Sequence, residues 1–489
     1  MELYLDNIGI IKDSTIKLDG LTVITGENNS GKSTVGKALF GAVNATRDFD
    51  FLYEKDLKQA KNNLFEKIAE IYEFNKIDKY IDKNLLDHLE EICIEVLSSL
   101  SKFDFFMSDK YSVNNIDFSV LSEFIQTFTK DRLQTVVIDD LLTTRARSYI
   151  NSFQKRYDTS CKEYRAYVDF KDENRTIDAF TRNLFTDSIG GEFNHQIKPV
   201  NSDDDSMISL IEMSSENISY LQLKFKNEKI FGETYKKWNR VYDNILFIDN
   251  PFVVDNIDGA YRDYVRNTMG NVSIENRGFY NIRYRSRITF SKNELLLRSL
   301  VVNNDDKSRI EQEIEYDKNS DVIKKIENAL PGAIKFEDGK MVYAEESKKS
   351  LSVKNLATGS KMFAIIKQLV MNNQLKHDTM LILDEPESHL HPEWQNIFAE
   401  VVVLLIKELS VNILLTTHSI NFMLAIETFM REYEINDKTN FYMTDKQDGG
   451  MVCYKCVNDS LNEIYAQFNR SYVEMYDRLN DMAVEDMVE

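Results

Sequence analysis

Residues 24–34, Ile24-Thr25-Gly26-Glu27-Asn28-Asn29-Ser30-Gly31-Lys32-Ser33-Thr34, decide the reading of this chain. They spell G-x-x-x-x-G-K-S, a phosphate-binding loop. Leu21-Thr22-Val23-Ile24 before it suits a buried strand, and Val35-Gly36-Lys37-Ala38-Leu39-Phe40 after it continues as a helix. A chance glycine turn lacks such flanks; strand, loop and helix together are the context the motif needs. Gly26 and Gly31 let successive backbone N–H groups converge on an anion at a helix N-terminus, with Asn28, Asn29, Ser30 and Thr34 completing the cradle. Lys32 adds a point charge for the β- and γ-phosphates, and the Ser33 hydroxyl suits Mg²⁺.

The nearer surroundings of the loop predict an α/β head. Upstream, Leu3 and Leu5, then Ile16 and Leu18, alternate with polar neighbours as strands do. Far downstream, a helix is expected from Thr358 to Asn373, a strand at Met380–Leu383, a helix at Glu393–Leu409 and a strand at Val411–Thr416. That β–α alternation implies a parallel core sheet. Between the two parts, residues 47–240 carry apolar side chains at helical spacing and are expected to form a mostly helical insertion, although Leu221, Leu223 and Phe225 alternate. The expected division is 1–46 for the first part of the head, 47–240 for the insertion, 241–345 for a strand-rich lobe and connector, 346–460 for the second part, and 461–489 for an acidic helical tail.

Composition narrows the classes. With 489 residues, 43% hydrophobic, the chain can bury a large core. Its net charge of −20 repels polyanions on average, so nucleic acid would need a local basic patch. The N-terminus lacks the basic and apolar regions of a signal peptide, and the apolar run Val401–Ile406 is too short to span a bilayer, so no membrane association and a cytoplasmic location are expected. Four scattered cysteines do not make a disulfide scaffold.

Three further stretches turn a phosphate loop into a machine. Met380-Leu381-Ile382-Leu383-Asp384-Glu385-Pro386 is an apolar strand ending in two carboxylates. Asp384 is placed to hold Mg²⁺ beside Ser33, and Glu385 to polarise the water that attacks the γ-phosphate. Val136-Val137-Ile138-Asp139 and Leu246-Phe247-Ile248-Asp249 are rivals, but neither Asp is followed by Glu. Leu356-Ala357-Thr358-Gly359-Ser360-Lys361 opens a helix, and Leu414-Leu415-Thr416-Thr417-His418-Ser419 ends a strand with a histidine that can meet the γ-phosphate.

In order and spacing these stretches resemble the ABC-type ATPase head shared by structural-maintenance-of-chromosomes proteins, RecF-like repair proteins and the overcoming-lysogenisation-defect nucleases. The continuation Asp384-Glu385-Pro386-Glu387-Ser388-His389-Leu390-His391-Pro392 looks most like the last group and its relatives among prokaryotic anti-phage ATPases of the Septu, PARIS and retron kind. The resemblance implies ATP and Mg²⁺ as ligands. It implies a homodimer or larger oligomer in which Thr358, Gly359 and Ser360 of one subunit cap the nucleotide on the phosphate loop of another. It also implies that His418 acts as the switch histidine. Ala357 stands where that family has its signature serine, which points to slow hydrolysis and keeps a non-hydrolysing assembly module as an alternative. The chain after His418 already holds two strands and the tail, so an effector, nuclease or toxin, is expected as a separate polypeptide, with the chain as its sensor or scaffold. A RecF-like repair ATPase is the rival enzyme reading, and the acidity of the chain argues against it.

Other signals read more plainly. His389 and His391 lack a third ligand at fixed spacing, so they are assigned to the interface loop rather than to a metal. Cys453 and Cys456 sit three apart in an expected strand and point to opposite faces. Residues 261–300 carry eight basic and three acidic side chains. Arg283, Arg285 and Arg287 would share one strand face, either meeting nucleic acid or pairing with the chain's many acids.

Overall fold

The computed structural model describes residues 1–47, 49, 52–53, 173–199, 204–213, 218–231, 235–237, 242–262, 290–301, 320–337, 340–345 and 348–485. Arg283, Arg285, Arg287 and Asp139 lie outside the described residues. The chain divides into two compact units, Met1–Phe49 with Phe180–Glu489, and Asp50–Ala179. The phosphate loop, the strand ending at Asp384, the stretch opening at Thr358 and the strand before His418 all fall within the first.

Its centre is a sheet built around the strand that feeds the phosphate loop. Strands β1 (Glu2–Asp6), β2 (Ser14–Lys17) and β3 (Leu21–Thr25) open the chain, and helix α1 (Lys32–Thr46) follows the loop. β3 is buried at every position, as its uninterrupted β-branched run requires. Its partners come from far along the sequence: β8 (Asn244–Ile248), β12 (Thr379–Asp384), β13 (Asn412–Thr417), β14 (Thr439–Lys446) and β15 (Val452–Cys456). The order is β15-β14-β3-β13-β12-β8, parallel except for the β14–β15 pair. Such a sheet must be covered on its faces. Helix α1 packs on β8, β12 and β13. The C-terminal ends of β3, β13, β12 and β8 therefore lie side by side, where open α/β sheets bind ligands.

A second, antiparallel sheet runs β2-β1-β4-β5-β6, with β7 beside β5. Its later members are β4 (Ser206–Met213), β5 (Ile218–Lys226), β6 (Lys229–Phe231) and β7 (Tyr235–Lys237). All four fall inside the stretch expected to be a mostly helical insertion, and this corrects that expectation for residues 206–237. The reason is the period-two pattern: Leu221, Leu223 and Phe225 are buried together, and β4 pairs with β1 in register from Glu2↔Ile211 to Asp6↔Met207. The helical part that is described is α2 (Glu173–Glu192).

The expected lobe and connector is also mixed. β8 belongs to the core sheet, while α3 (Lys292–Val301) and α4 (Ser320–Ala329) precede a small sheet of β9 (Ala333–Glu337), β10 (Lys340–Ala344) and β11 (Leu351–Ser352). Helices α5 (Thr358–Met371) and α6 (Pro392–Leu409) fall within one or two residues of where periodicity predicts them, and α7 (Ile420–Glu432) follows β13. Helix α8 (Asn462–Glu485) forms the tail. Among the described residues no helix is long and apolar enough to cross a membrane.

Candidate nucleotide site at the ends of the core strands

The loop between β3 and α1 has the backbone an anion nest needs. Gly31 sits at φ +79°, a left-handed conformation open to glycine, and N-caps α1. Gly26 is required for another reason: a Cβ there would lie 2.1 Å from Thr444 Oγ1. The Lys32 side chain is 4% exposed and curls back over the loop. Its Nζ donates to the carbonyls of Gly26 at 3.1 Å and Glu27 at 2.9 Å, and lies 3.5 Å from Glu385 Oε1. Ser30 is held from two sides: its hydroxyl donates to Glu27 O at 2.7 Å, and its carbonyl accepts the buried Tyr454 hydroxyl at 3.1 Å. Burial, with a smaller contribution from the Asp384 charge, pushes the Tyr454 phenol well above its usual range, so it stays a donor.

Opposite the loop, the ends of β12 and β13 are tied together at three successive levels. Thr416 Oγ1 donates to Asp384 Oδ1 at 2.5 Å. The Glu385 N–H donates both to Thr416 O and to Thr416 Oγ1, each at 3.1 Å. Two residues on, Glu387 Oε1 accepts Thr417 Oγ1 at 2.5 Å and the His418 N–H at 3.3 Å. Glu385 stands at φ +48°, which costs a side-chain-bearing residue about 1–3 kcal/mol and is the kind of strain functional sites retain. That turn brings Glu385 Oε2 to 3.2 Å from His418 Nδ1.

A cavity of about 670 Å³ lies between these two walls. It is lined by Asn28, Asn29, Ser30, Gly31, Lys32, Ser33 and Thr34 from the loop, and by Asp384, Glu385, His389 and His418 from the opposite side. The cavity thus gathers most of the residues the sequence singles out. Gly26 stays just behind it as the carbonyl that holds Lys32. Thr358, Gly359 and Ser360 open α5 but are not among the described residues lining the cavity; Gly359 packs near Leu390, the His389 carbonyl and Trp394. Ala357 occupies the N-cap of α5 and makes no side-chain capping bond. The donor set fits a magnesium nucleotide. A glycine cradle that a Cβ would fill meets a buried ammonium, and a serine hydroxyl and a carboxylate share one wall-to-wall space.

Two residues escaped the sequence reading. Asp249, set aside as a rival, also lines the cavity. β8 runs parallel to β12 with Ile248 opposite Leu383, so Asp249 and Asp384 follow at neighbouring strand ends. Lys292 clamps it at 2.5 Å and lies 3.8 Å from Glu192 Oε2 at the end of α2. The signal was present as an apolar run ending in Asp. Glu387 is 2% exposed, and among the described residues its Oε2 has no hydrogen-bond partner. Burial pushes its carboxyl up, opposed by the Thr417 and His418 bonds. A bare buried oxygen of this kind costs about 1–3 kcal/mol. Nothing in a turn of glutamate, serine and histidine announces such burial.

His389 presents its ring to Phe252, and His391 N-caps α6. Among the described residues no group of three histidine, cysteine or acidic side chains is arranged to hold a metal. Cys453 and Cys456 lie in β15 as free thiols.

A family described as AAA ATPase domain matches residues 1–423. No curated protein matches. Among solved structures, the chain is similar to the SMC head domain from Thermotoga maritima, at 10% identity over 93% of this chain and 98% of that one, with a TM-score of 0.36. It is also similar to an Smc head bound to the C-winged helix domain of ScpA (10% identity, 93% and 96% covered, TM-score 0.39). A third is the Pyrococcus furiosus Smc head with an extended coiled coil, bound to the C-terminal domain of ScpA (10% identity, 96% and 99% covered, TM-score 0.38). With the family match spanning the phosphate loop, the carboxylate strand and the histidine strand, the chain belongs to the AAA ATPase domain family.

Proposed function

We propose that the chain is a Mg²⁺-dependent ATPase that completes its sites by oligomerising. The observation that carries this reading is the cavity where Lys32, Ser33, Asp384, Glu385 and His418 converge. Lys32 and the loop amides bind the β- and γ-phosphates. Ser33 and Asp384 would hold the magnesium ion, which when bound offsets phosphate charge and fixes the oxygens for in-line attack. Glu385 accepts a proton from the attacking water as the new P–O bond forms and the bond to the bridging oxygen breaks, giving ADP and phosphate. His418, whose Nδ1 lies 3.2 Å from Glu385 Oε2, orients that carboxylate and reaches the γ-phosphate.

The second part of the reading is that Thr358, Gly359 and Ser360 act on the nucleotide of a partner copy. Its support is that they stand at a helix N-terminus yet do not line their own chain's cavity. Ala357 at the bare N-cap of α5 favours slow turnover. The biological role we propose is sensor or scaffold for a separate nuclease or toxin in anti-phage defence, supported by the resemblance carried by residues 384–392. Nucleic acid, if bound, would engage Arg283, Arg285 and Arg287. A phosphate-release assay tests the core of the reading. The wild type should release phosphate from ATP with Mg²⁺, while Lys32→Ala and Glu385→Gln should not; equal release by all three would overturn it.

A further inference from the structure

The turn after β12 is fastened to the end of β13 by a residue to which the chemistry above gives no task. Glu387 reaches across to take the Thr417 hydroxyl at 2.5 Å and the His418 backbone N–H at 3.3 Å. The His418 side chain itself is 42% exposed, so packing does little to hold the ring, and its place depends on where the backbone is pinned. Downstream, the loop is fixed separately: Ser419 Oγ caps α7 at Phe422 N and donates to Gln395 Oε1 at 3.0 Å. Upstream, Thr417 ends the pairing of β13 with β3 opposite Thr25, and the hold on its hydroxyl and on the His418 N–H comes from Glu387. An apolar side chain would fill this buried spot without leaving an oxygen bare, as Oε2 is here among the described residues. Packing alone does not account for a carboxyl group at this position.

We propose that Glu387 is a positioning residue of the ATPase site: it holds the Thr417 hydroxyl and the His418 backbone N–H so that the His418 ring stays in register with Glu385. The inference rests on the ATP-hydrolysing reading for its effect on turnover, but not for its effect on the ring. Glu385 and Glu387 then grip the histidine from two sides, one through the ring and one through the backbone.

The test compares Glu387→Ala, Glu387→Asp and Glu387→Gln in the full chain, with Glu385→Gln as control and each fold checked by thermal melting. Glu387→Ala should lower kcat by about tenfold or more while KM for ATP stays within about twofold. Glu387→Asp keeps the charge and loses the reach, so it should fall similarly. Glu387→Gln keeps an acceptor oxygen at the same distance and should recover to within about threefold. In a His418→Ala background, Glu387→Ala should cost less than about twofold more, because the two act as a unit. The His418 ring resonance, identified by its loss in His418→Ala, should move in Glu387→Ala and Glu387→Asp and hold in Glu387→Gln. Full kcat in Glu387→Ala while Glu385→Gln is dead would overturn the proposal, as would losses that multiply with His418→Ala or an unmoved ring resonance. A wild type with no turnover would remove the hydrolytic reading alone, and the resonance would then decide. If Glu387→Ala fails to fold, the contrast between Glu387→Asp and Glu387→Gln carries the same decision.

Discussion

At the scale of single residues, the site is a set of charges held in place by close polar partners. Lys32 is nearly buried, and two carbonyls and Glu385 satisfy it in place. Removing it leaves the loop without its inward cation, so Lys32→Ala should abolish ATP binding in a calorimetric titration; unchanged affinity would contradict the loop assignment. Glu387 allows a prediction on stability. Its folded pKa is raised by burial, whereas an unfolded glutamate titrates at about 4.3. A raised acid contributes stability that is fully present below the unfolded value and is lost as pH rises through the folded one. Glutamine has no such loss. Unfolding of Glu387→Gln and wild type in denaturant should therefore diverge in favour of the variant as pH climbs from about 4.3, then run parallel. A gap that narrows with rising pH would mean that the Thr417 and His418 bonds outweigh burial.

At the scale of elements, adjacent strand ends act as one device. β13 lies between β3 and β12, and its Thr416 serves both residues at the end of β12, donating to the Asp384 carboxylate and accepting the Glu385 backbone N–H. Thr416→Val keeps the shape and removes the hydroxyl. The protein should lose about 1–3 kcal/mol of stability, because the Asp384 oxygen loses its donor. The Mg²⁺ concentration needed for half-maximal nucleotide binding should rise; an unchanged magnesium midpoint would count against Asp384 as the metal-holding carboxylate. Much of this device was legible in the sequence, because a strand, a tight loop and a helix are written in consecutive residues. The pairing that joins them was not. β1 finds β4 some 200 residues away, a pairing no local period encodes, and so residues 206–237 read as part of a helical insertion although their alternation was visible. Asp249 was misjudged for the same reason: only the parallel alignment of β8 with β12 shows that its strand ends at the cavity. Glu387 was missed because an acid in a turn ordinarily faces water.

At the scale of the whole molecule, an acidic chain of net charge −20 has many carboxylates to offer its own basic stretch. Replacing Arg283, Arg285 and Arg287 together by alanine should leave phosphate release nearly intact, since the proposed function assigns the triphosphate to other residues. If the three meet nucleic acid, the slope of log affinity against log salt should shrink by roughly 0.7–0.9 for each phosphate no longer neutralised. If they serve an interface instead, the oligomer should weaken in sedimentation while salt dependence stays as it was.

The central claim is that one chain does not hold a complete ATPase site. Subunit mixing tests it most directly. Lys32→Ala lacks a working phosphate loop, and Gly359→Asp lacks a working signature, its new side chain pressing on Leu390 and the His389 carbonyl. Each variant alone should be inactive. Mixed, they form one interface that keeps an intact loop facing an intact signature, and phosphate release should recover to a fraction of the wild-type rate. Mixed oligomers that form and stay inactive would contradict the account.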